Sequence, residues 1–477
     1  MNALATTIKQ LFKGMKWFET SEYVLLMLLV VALPIYWQLG VWMLAMLCVN
    51  MVVKIVATRR IGNPALWRAT RVCLYLMMLV YLLYAASILY TSQPREAVST
   101  ITMMLPLLLF PLLTLLGDTR YITRRHISTL VYLLAAVLSL RFVVMLVRSL
   151  FHTIDSQLFS GLTELMASSL AGIASYIAHA SPIPILGENV ALLPVQAAAH
   201  LFVGTPLEKL PQYKFDPLHH NYLSLYLLTA VALLYCQLVH HWHQPSWKKC
   251  RWVVVADMAT LSTYVLLSGS RSGVVIWTLL AAACFIHMTF CLHRWRVVGI
   301  TVAAIALLVG CSYWASPKTY ERITSTAHSL LTGQQGDVRQ ELWSSGLETA
   351  RKHLLIGYGC DGYWETLFKQ YHADESFYAS NTGLSTHNQY IETLLATGIV
   401  GLAALILMVL VPVVLALRPP PGHLSLILFT LVYAASFFFE AMLGRQMGLL
   451  FISVWYCILS HPQRQSEMPT AAPHIEQ

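Results

Sequence analysis

Three basic side chains stand at places where a largely apolar chain should carry none without a use. They are Arg271 in "LLSGSRSGVV", Arg339 in "DVRQELW" and His387 in "LSTHNQYIETLLATGIVG". Thr386 and Gln389 have the spacing of a capping box, which would make His387 the first residue of a long apolar helix. A helix N-terminus carries partial positive charge, so it disfavours a protonated imidazole and attracts anions. His387 is therefore expected to be neutral, beside a site suited to a phosphate. Arg271 lies in a very short connection between two apolar runs, and a guanidinium is costly inside a bilayer. Its neighbours Gly269 and Gly273 let the backbone turn tightly and approach a ligand. The bland alternatives are an imidazole resting among lipid headgroups and an arginine snorkelling toward them.

The elements that must position these groups are membrane spans. The 477 residues are 57% hydrophobic and 11% charged, with mean hydropathy +0.62, which lies outside the range of soluble globular chains. A span needs about 20 mostly apolar residues, and twelve such runs can be marked: 22–37, 39–57, 72–91, 99–116, 127–148, 220–239, 252–269, 272–291, 295–314, 389–417, 424–442 and 446–461. The first reads as a true span, since it lacks a small-residue cleavage site. The formal charge of +9 raises the question of nucleic acid, but the cations cluster in alternate loops, at Arg59, Arg60, Arg68 and Arg71, then Arg120, Arg124 and Arg125, then Lys248, Lys249 and Arg251, then Arg294 and Arg296. That is the positive-inside pattern, so the basic excess sets topology and implies no nucleic-acid partner; both tails are expected in the cytoplasm. The nine scattered cysteines form neither a disulfide framework nor a zinc pattern.

The chain then divides into N-terminal spans (1–148), a long outer segment (149–219), spans six to nine (220–314), a second outer segment (315–386), spans ten to twelve (387–461) and a tail (462–477). Segment 149–219 is semi-apolar and reads either as interfacial helices or as an added hairpin, which would give fourteen spans. The second outer segment holds a soluble-looking helix in "DVRQELWSSGLETARKH", with Asp337 as its cap, Arg339 in its first turn and Val338, Leu342, Trp343 and Leu347 on one stripe. "IGYGCDGYW" after it spells G-x-G-x-x-G at Gly357, Gly359 and Gly362, but without the strand and helix a dinucleotide site needs it reads as a tight turn returning the chain to the membrane. By this topology Arg271, Arg339 and His387 reach one face.

His387 and Asn388, followed by Gly398 and Gly401, resemble the H-N-x9-G-x-x-G signature of the bacterial O-antigen ligase family, within the wider polysaccharide ligase and polymerase superfamily. "SGSRSG" and "VRQELW" leading to "IGYGCDGYW" resemble it in the same order. The resemblance runs from about Tyr222 to Leu459. It implies an all-α, polytopic, GT-C-like membrane protein of about twelve spans, with a long periplasmic loop between spans nine and ten. It implies a glycosyltransferase of the bacterial inner membrane, needing no metal or other cofactor, that moves a glycan from a polyprenyl diphosphate to lipid A-core with inversion. His387 would be the general base, and Arg271 and Arg339 would bind the diphosphate and stabilise the leaving group.

Further polar residues have weaker assignments. Asn388 and Glu392, four apart on one helix face, could orient His387 or the acceptor, or serve capping and contact between spans. Tyr390 could touch sugar or anchor at the interface. His219, His220 and Asn221 open the sixth span and could line the acceptor route or merely mark its boundary. Arg141 and Asp257, inside spans, are expected to pair with each other, the alternative being that they reach the carrier diphosphate. Gly398 and Gly401 would permit close packing of spans. The competing functions are an O-antigen polymerase, a ligase that modifies protein, and a transporter or flippase, although matched broken helices and repeats are not visible.

Overall fold

The computed structural model describes residues 15–168, 219–291, 338–374, 383–417 and 424–460, except single positions 60, 64, 65, 67, 243 and 269, together with isolated positions between 293 and 310. Among the described residues every regular element is a helix: α1 (Trp17–Ile35), α2 (Trp37–Thr58), α3 (Arg68–Ala86), α4 (Pro94–Met104), α5 (Pro106–Leu116), α6 (Arg124–Ser168), α7 (His220–His241), α8 (Cys250–Leu267), α9 (Arg271–Ile286), α10 (Val338–Arg351), α11 (Trp364–Ala373), α12 (Gln389–Ala416), α13 (Leu424–Phe439) and α14 (Gln446–Leu459). The protein is an all-α polytopic membrane protein, with nine helical stretches long and apolar enough to cross a bilayer and two shorter apolar helices, α13 and α14, among the described residues. The ninth expected span, 295–314, lies almost wholly outside the described residues, as do 169–218, Asp337 and the tail.

The fifth span does not stop near 148, because α6 continues unbroken to Ser168. Pro106 divides the fourth span into α4 and α5, since its ring cannot continue the preceding turn. α7 is buried at every position from Asn221 to Tyr235, which makes it the centre of the bundle, with α6, α8, α9 and α13 around it. Arg141 and Asp257, expected as a pair, take separate partners: Arg141 donates to the carbonyl of Pro34 at the end of α1, where a helix has carbonyls to spare, and Asp257 accepts from Ser139.

α12 is broken nine residues in. Gly398 lies at φ +66°, ψ −163°, so the helical ladder fails there. The amide of Ile399, which would bond Leu395, donates instead to the carbonyl of Leu354 at 2.8 Å. The carbonyls of Leu395 and Ala396 accept from the amides of Tyr358 (2.8 Å) and Gly359 (2.9 Å). The turn segment 354–359 thus supplies the hydrogen bonds the helix has lost, which is the condition for non-helical backbone at membrane depth. A methyl group on Gly398 would lie 2.2 Å from the Leu355 oxygen, and one on Gly357 2.5 Å from the Leu395 oxygen. Gly398 therefore serves this junction rather than span packing. The same segment is held on its other side, where Tyr90 donates to the Ile356 carbonyl (2.6 Å), Thr91 to that of Cys360 (2.7 Å) and the Cys360 amide to Ser87 (2.8 Å). The turn expected around Gly357 and Gly359, both at positive φ, is thus a clamped plug.

Candidate active site

The expected capping box is not what opens α12. Asn388 is the N-cap, its side-chain oxygen accepting from the amides of Tyr390 (3.0 Å) and Ile391 (3.2 Å), and His387 stands just before the helix at φ +47°. Asn388 caps rather than Thr386 because its single side-chain oxygen reaches two orphan amides, while the buried Thr386 hydroxyl donates to the Asn388 carbonyl (3.3 Å) and the Thr386 carbonyl accepts from the indole N–H of Trp343 (3.1 Å). A left-handed histidine is uncommon and must be held by its surroundings. Ser385 accepts the His387 amide at 3.2 Å, and the Trp343 bond and the Asn388 cap fix the residues on either side.

This backbone turn delivers the imidazole to a residue that motif reasoning missed. Nδ1 of His387 lies 2.9 Å from Oε1 of Glu440, which follows α13 directly; the carboxylate is 9% exposed and the imidazole 30%. The hydrogen bond that His387 donates to Glu440 raises the His387 pKa above its ordinary 6.5, against the opposing effects of burial and of Arg339. The expectation of a neutral His387 held down by a helix N-terminus is therefore overturned: His387 is not in the helix, and a carboxylate sits against it. Burial alone would raise the Glu440 carboxyl, but the His387 hydrogen bond and charge, with a hydrogen bond from Asn221, bring it below the usual carboxylate range. With Glu440 ionised, the proton of a neutral His387 belongs on Nδ1, which leaves Nε2 as acceptor. Glu440 had a legible signal, a carboxylate closing the apolar run "SFFFE".

Two cations stand at the same end of the bundle. Arg339, half-buried in the first turn of α10, lies over the ring of Phe439 at 5.9 Å and within electrostatic reach of His387. Arg271 is exposed as the first residue of α9, and both arginines act on His220. The α9 N-terminus is capped by Ser270, whose Oγ accepts from Gly273 at 3.0 Å, and no acidic residue occupies its first turn. A helix N-terminus that begins with arginine combines two positive features and suits an anion. Gly273 does not face a ligand: a methyl group there would lie 2.4 Å from Oγ of Ser224, so it allows α7 and α9 to touch.

The remaining expected site residues are occupied as follows. Asn388 is spent on the cap. Tyr390 donates to the Ala434 carbonyl (3.0 Å) and packs against Phe438 and Phe437. Glu392 is buried beneath His387 with Oε1 unpartnered. α10 presents Leu342, Ser345, Gly346, Thr349 and Ala350 to the core, whereas Leu347 of the expected stripe is exposed. The small residues let α10 settle on the start of α12, where a methyl group on Gly346 would come within 2.9 Å of both Ile391 and Thr386. Among the described residues no three His, Cys, Asp or Glu side chains group as a metal site requires.

Comparison with known proteins follows the same residues. Residues 257–406 match the family model described as O-antigen ligase, a stretch that includes Arg271, Arg339 and His387 but neither Asn221 nor Glu440. An uncharacterized protein of Haemophilus influenzae is 26% identical over 182 residues, 37% of this chain and 45% of that protein. The exopolysaccharide production protein ExoQ of Rhizobium meliloti is 28% identical over 172 residues, 34% of this chain and 38% of that protein. The chain thus spans less than half the length of these curated relatives. The resemblance to the O-antigen ligase family is borne out.

Proposed function

We propose that the protein is an O-antigen ligase, transferring a glycan from a polyprenyl diphosphate to a hydroxyl of lipid A-core at the periplasmic face of the bacterial inner membrane. The observation that carries this reading is the His387–Glu440 pair at the end of the bundle that also holds Arg271 and Arg339. Nε2 of His387 takes the proton of the acceptor hydroxyl as its oxygen attacks the anomeric carbon. Glu440, on Nδ1, stabilises the imidazolium that forms. The bond from the anomeric carbon to the diphosphate oxygen breaks, and the charge that grows on the departing diphosphate is met by Arg271 and Arg339. Attack opposite the leaving group inverts the anomeric configuration.

A second reading is a polymerase, which uses the same donor chemistry but a carrier-linked acceptor; it is favoured by the likeness to a protein named for exopolysaccharide production. Deleting the gene in its host separates the two. Loss of a ligase leaves lipid A-core bare while long carrier-linked glycan accumulates. Loss of a polymerase leaves lipid A-core bearing a single repeat. An unchanged lipopolysaccharide ladder contradicts the ligase and an O-antigen polymerase alike, and loss of a secreted polysaccharide in its place points to a polymerase of that polymer.

A further inference from the structure

The pair at the centre of the site does not end at Glu440. The second carboxylate oxygen, Oε2, accepts from Nδ2 of Asn221 at 2.7 Å. The other end of that amide, Oδ1, accepts from the hydroxyls of Ser272 (2.9 Å) and Ser270 (3.3 Å). A carboxylate can only accept and the serine hydroxyls have protons to give, so the amide has one orientation that satisfies every partner. Asn221 is 5% exposed and stands in the first turn of α7, so this network is sealed beneath the site. The chain of contacts runs from His387 through Glu440 and Asn221 to the two serines that flank Arg271. Ser270 is at the same time the N-cap of the helix that Arg271 begins.

We infer that Asn221 is a positioning residue for the base: its N–H holds Glu440 as a carboxylate after His387 has lost its proton, and its carbonyl ties that pair to the turn carrying Arg271. The inference rests on the transferase reading for its use, and on geometry alone for its physical content. When His387 is protonated, it shares the charge of Glu440. When His387 gives up its proton, Asn221 is left as the buried donor to the oxygen facing away from the ring. Removing that donor makes the deprotonated pair harder to reach, so the imidazole keeps its proton to higher pH and fewer molecules carry a free base near neutrality. The other charged groups acting on the pair are His219 just before α7, His220 from α7, Arg339 from α10 and Glu392 from α12, with Arg271 from α9 acting on His220, and the substitutions below leave them in place.

The test titrates His387 directly in the full-length protein, in detergent, by the pH dependence of its modification with diethyl pyrocarbonate, whose carbonyl carbon only the neutral ring attacks; the His387 peptide is quantified by mass spectrometry. Asn221→Leu removes both contacts, and Asn221→Asp keeps the acceptor for the serines while setting a second carboxylate against Glu440. Both are expected to move the His387 midpoint upward by about one pH unit, a shift of the size that one lost charge-directed hydrogen bond produces. The acidic limb of the transfer rate should move with it. Ser272→Ala, which leaves Glu440 and the Asn221 donor intact but loosens the amide, is expected to give a smaller shift in the same direction and serves if the α7 variants fail to fold. A His387 midpoint unchanged in variants that retain the wild-type Tm would overturn the assignment. Because the titration needs no substrate, absence of transfer in the wild type would refute the ligase reading without deciding this one.

Discussion

At the scale of single residues, the site turns on a histidine whose proton is shared with a buried carboxylate. Transfer requires the neutral ring, so the rate should rise with pH through a midpoint above the ordinary histidine value of 6.5. Glu440→Gln removes the charge that raises it; the acidic limb should move to lower pH while the plateau falls by about tenfold to a hundredfold, read from initial rates of product formation. The pair also links pH to stability. Glu440, with a depressed pKa, stabilises the fold above its ordinary 4.5, and that contribution is lost as pH falls through its lower folded value. His387, with a raised pKa, contributes fully below 6.5, and that contribution is lost as pH rises through its higher folded value. The stability difference between wild type and Glu440→Gln, followed as the difference in Tm against pH, should therefore be greatest between these two ordinary values, where it amounts to about 1–3 kcal/mol; a difference that does not vary with pH would contradict an ionised pair.

At the scale of elements, the break in α12 joins the loop to the membrane helix. The half-helix 389–397 is about 13 Å long, and 399–416 is still about 27 Å, close to a bilayer core. Segment 354–359 plugs into the break, and α10 with Arg339 lies against the same half-helix through Gly346 and Trp343. Gly398→Ala should cost roughly 2–3 kcal/mol, because it meets the Leu355 carbonyl and loses a left-handed glycine together. It should also depress transfer by loosening Arg339. A Tm equal to wild type would mean that the plug is dispensable. The helices themselves were legible, since runs of apolar residues near 20 long fix spans well. The end of the fifth span was not, because α6 runs on through polar residues. The plug was not legible either: hydrogen bonds between 354–359 and 395–399 are set by tertiary contact, and the glycines that permit them read equally well as a turn and as packing.

At the scale of the whole molecule, the topology brings Arg271, Arg339 and His387 to one end of the bundle, as alternate charged loops imply. Partners outside the matched stretch 257–406, Glu440 and Asn221, are legible in the sequence only as polar residues at the ends of apolar runs, with nothing local to say that they meet. Their role appears only when α7, α9, α12 and α13 close on one another. The sidedness has its own test. Cys250 is exposed at the start of α8, opposite the end that leads to Arg271, and Leu347 is exposed on α10. In intact cells with a permeable outer membrane, an impermeant maleimide should label Leu347→Cys and spare Cys250 until the inner membrane is opened; the reverse pattern would place the site on the cytoplasmic face.

The most direct measurement is the reaction itself. Purified protein would be given polyprenyl diphosphate-linked glycan and lipid A-core, and the product followed by gel mobility for wild type and His387→Ala. The expected result is glycan joined to lipid A-core by the wild type, with a loss of about a hundredfold or more in a variant that keeps its fold. A folded His387→Ala protein that transfers glycan at the wild-type rate would contradict the account.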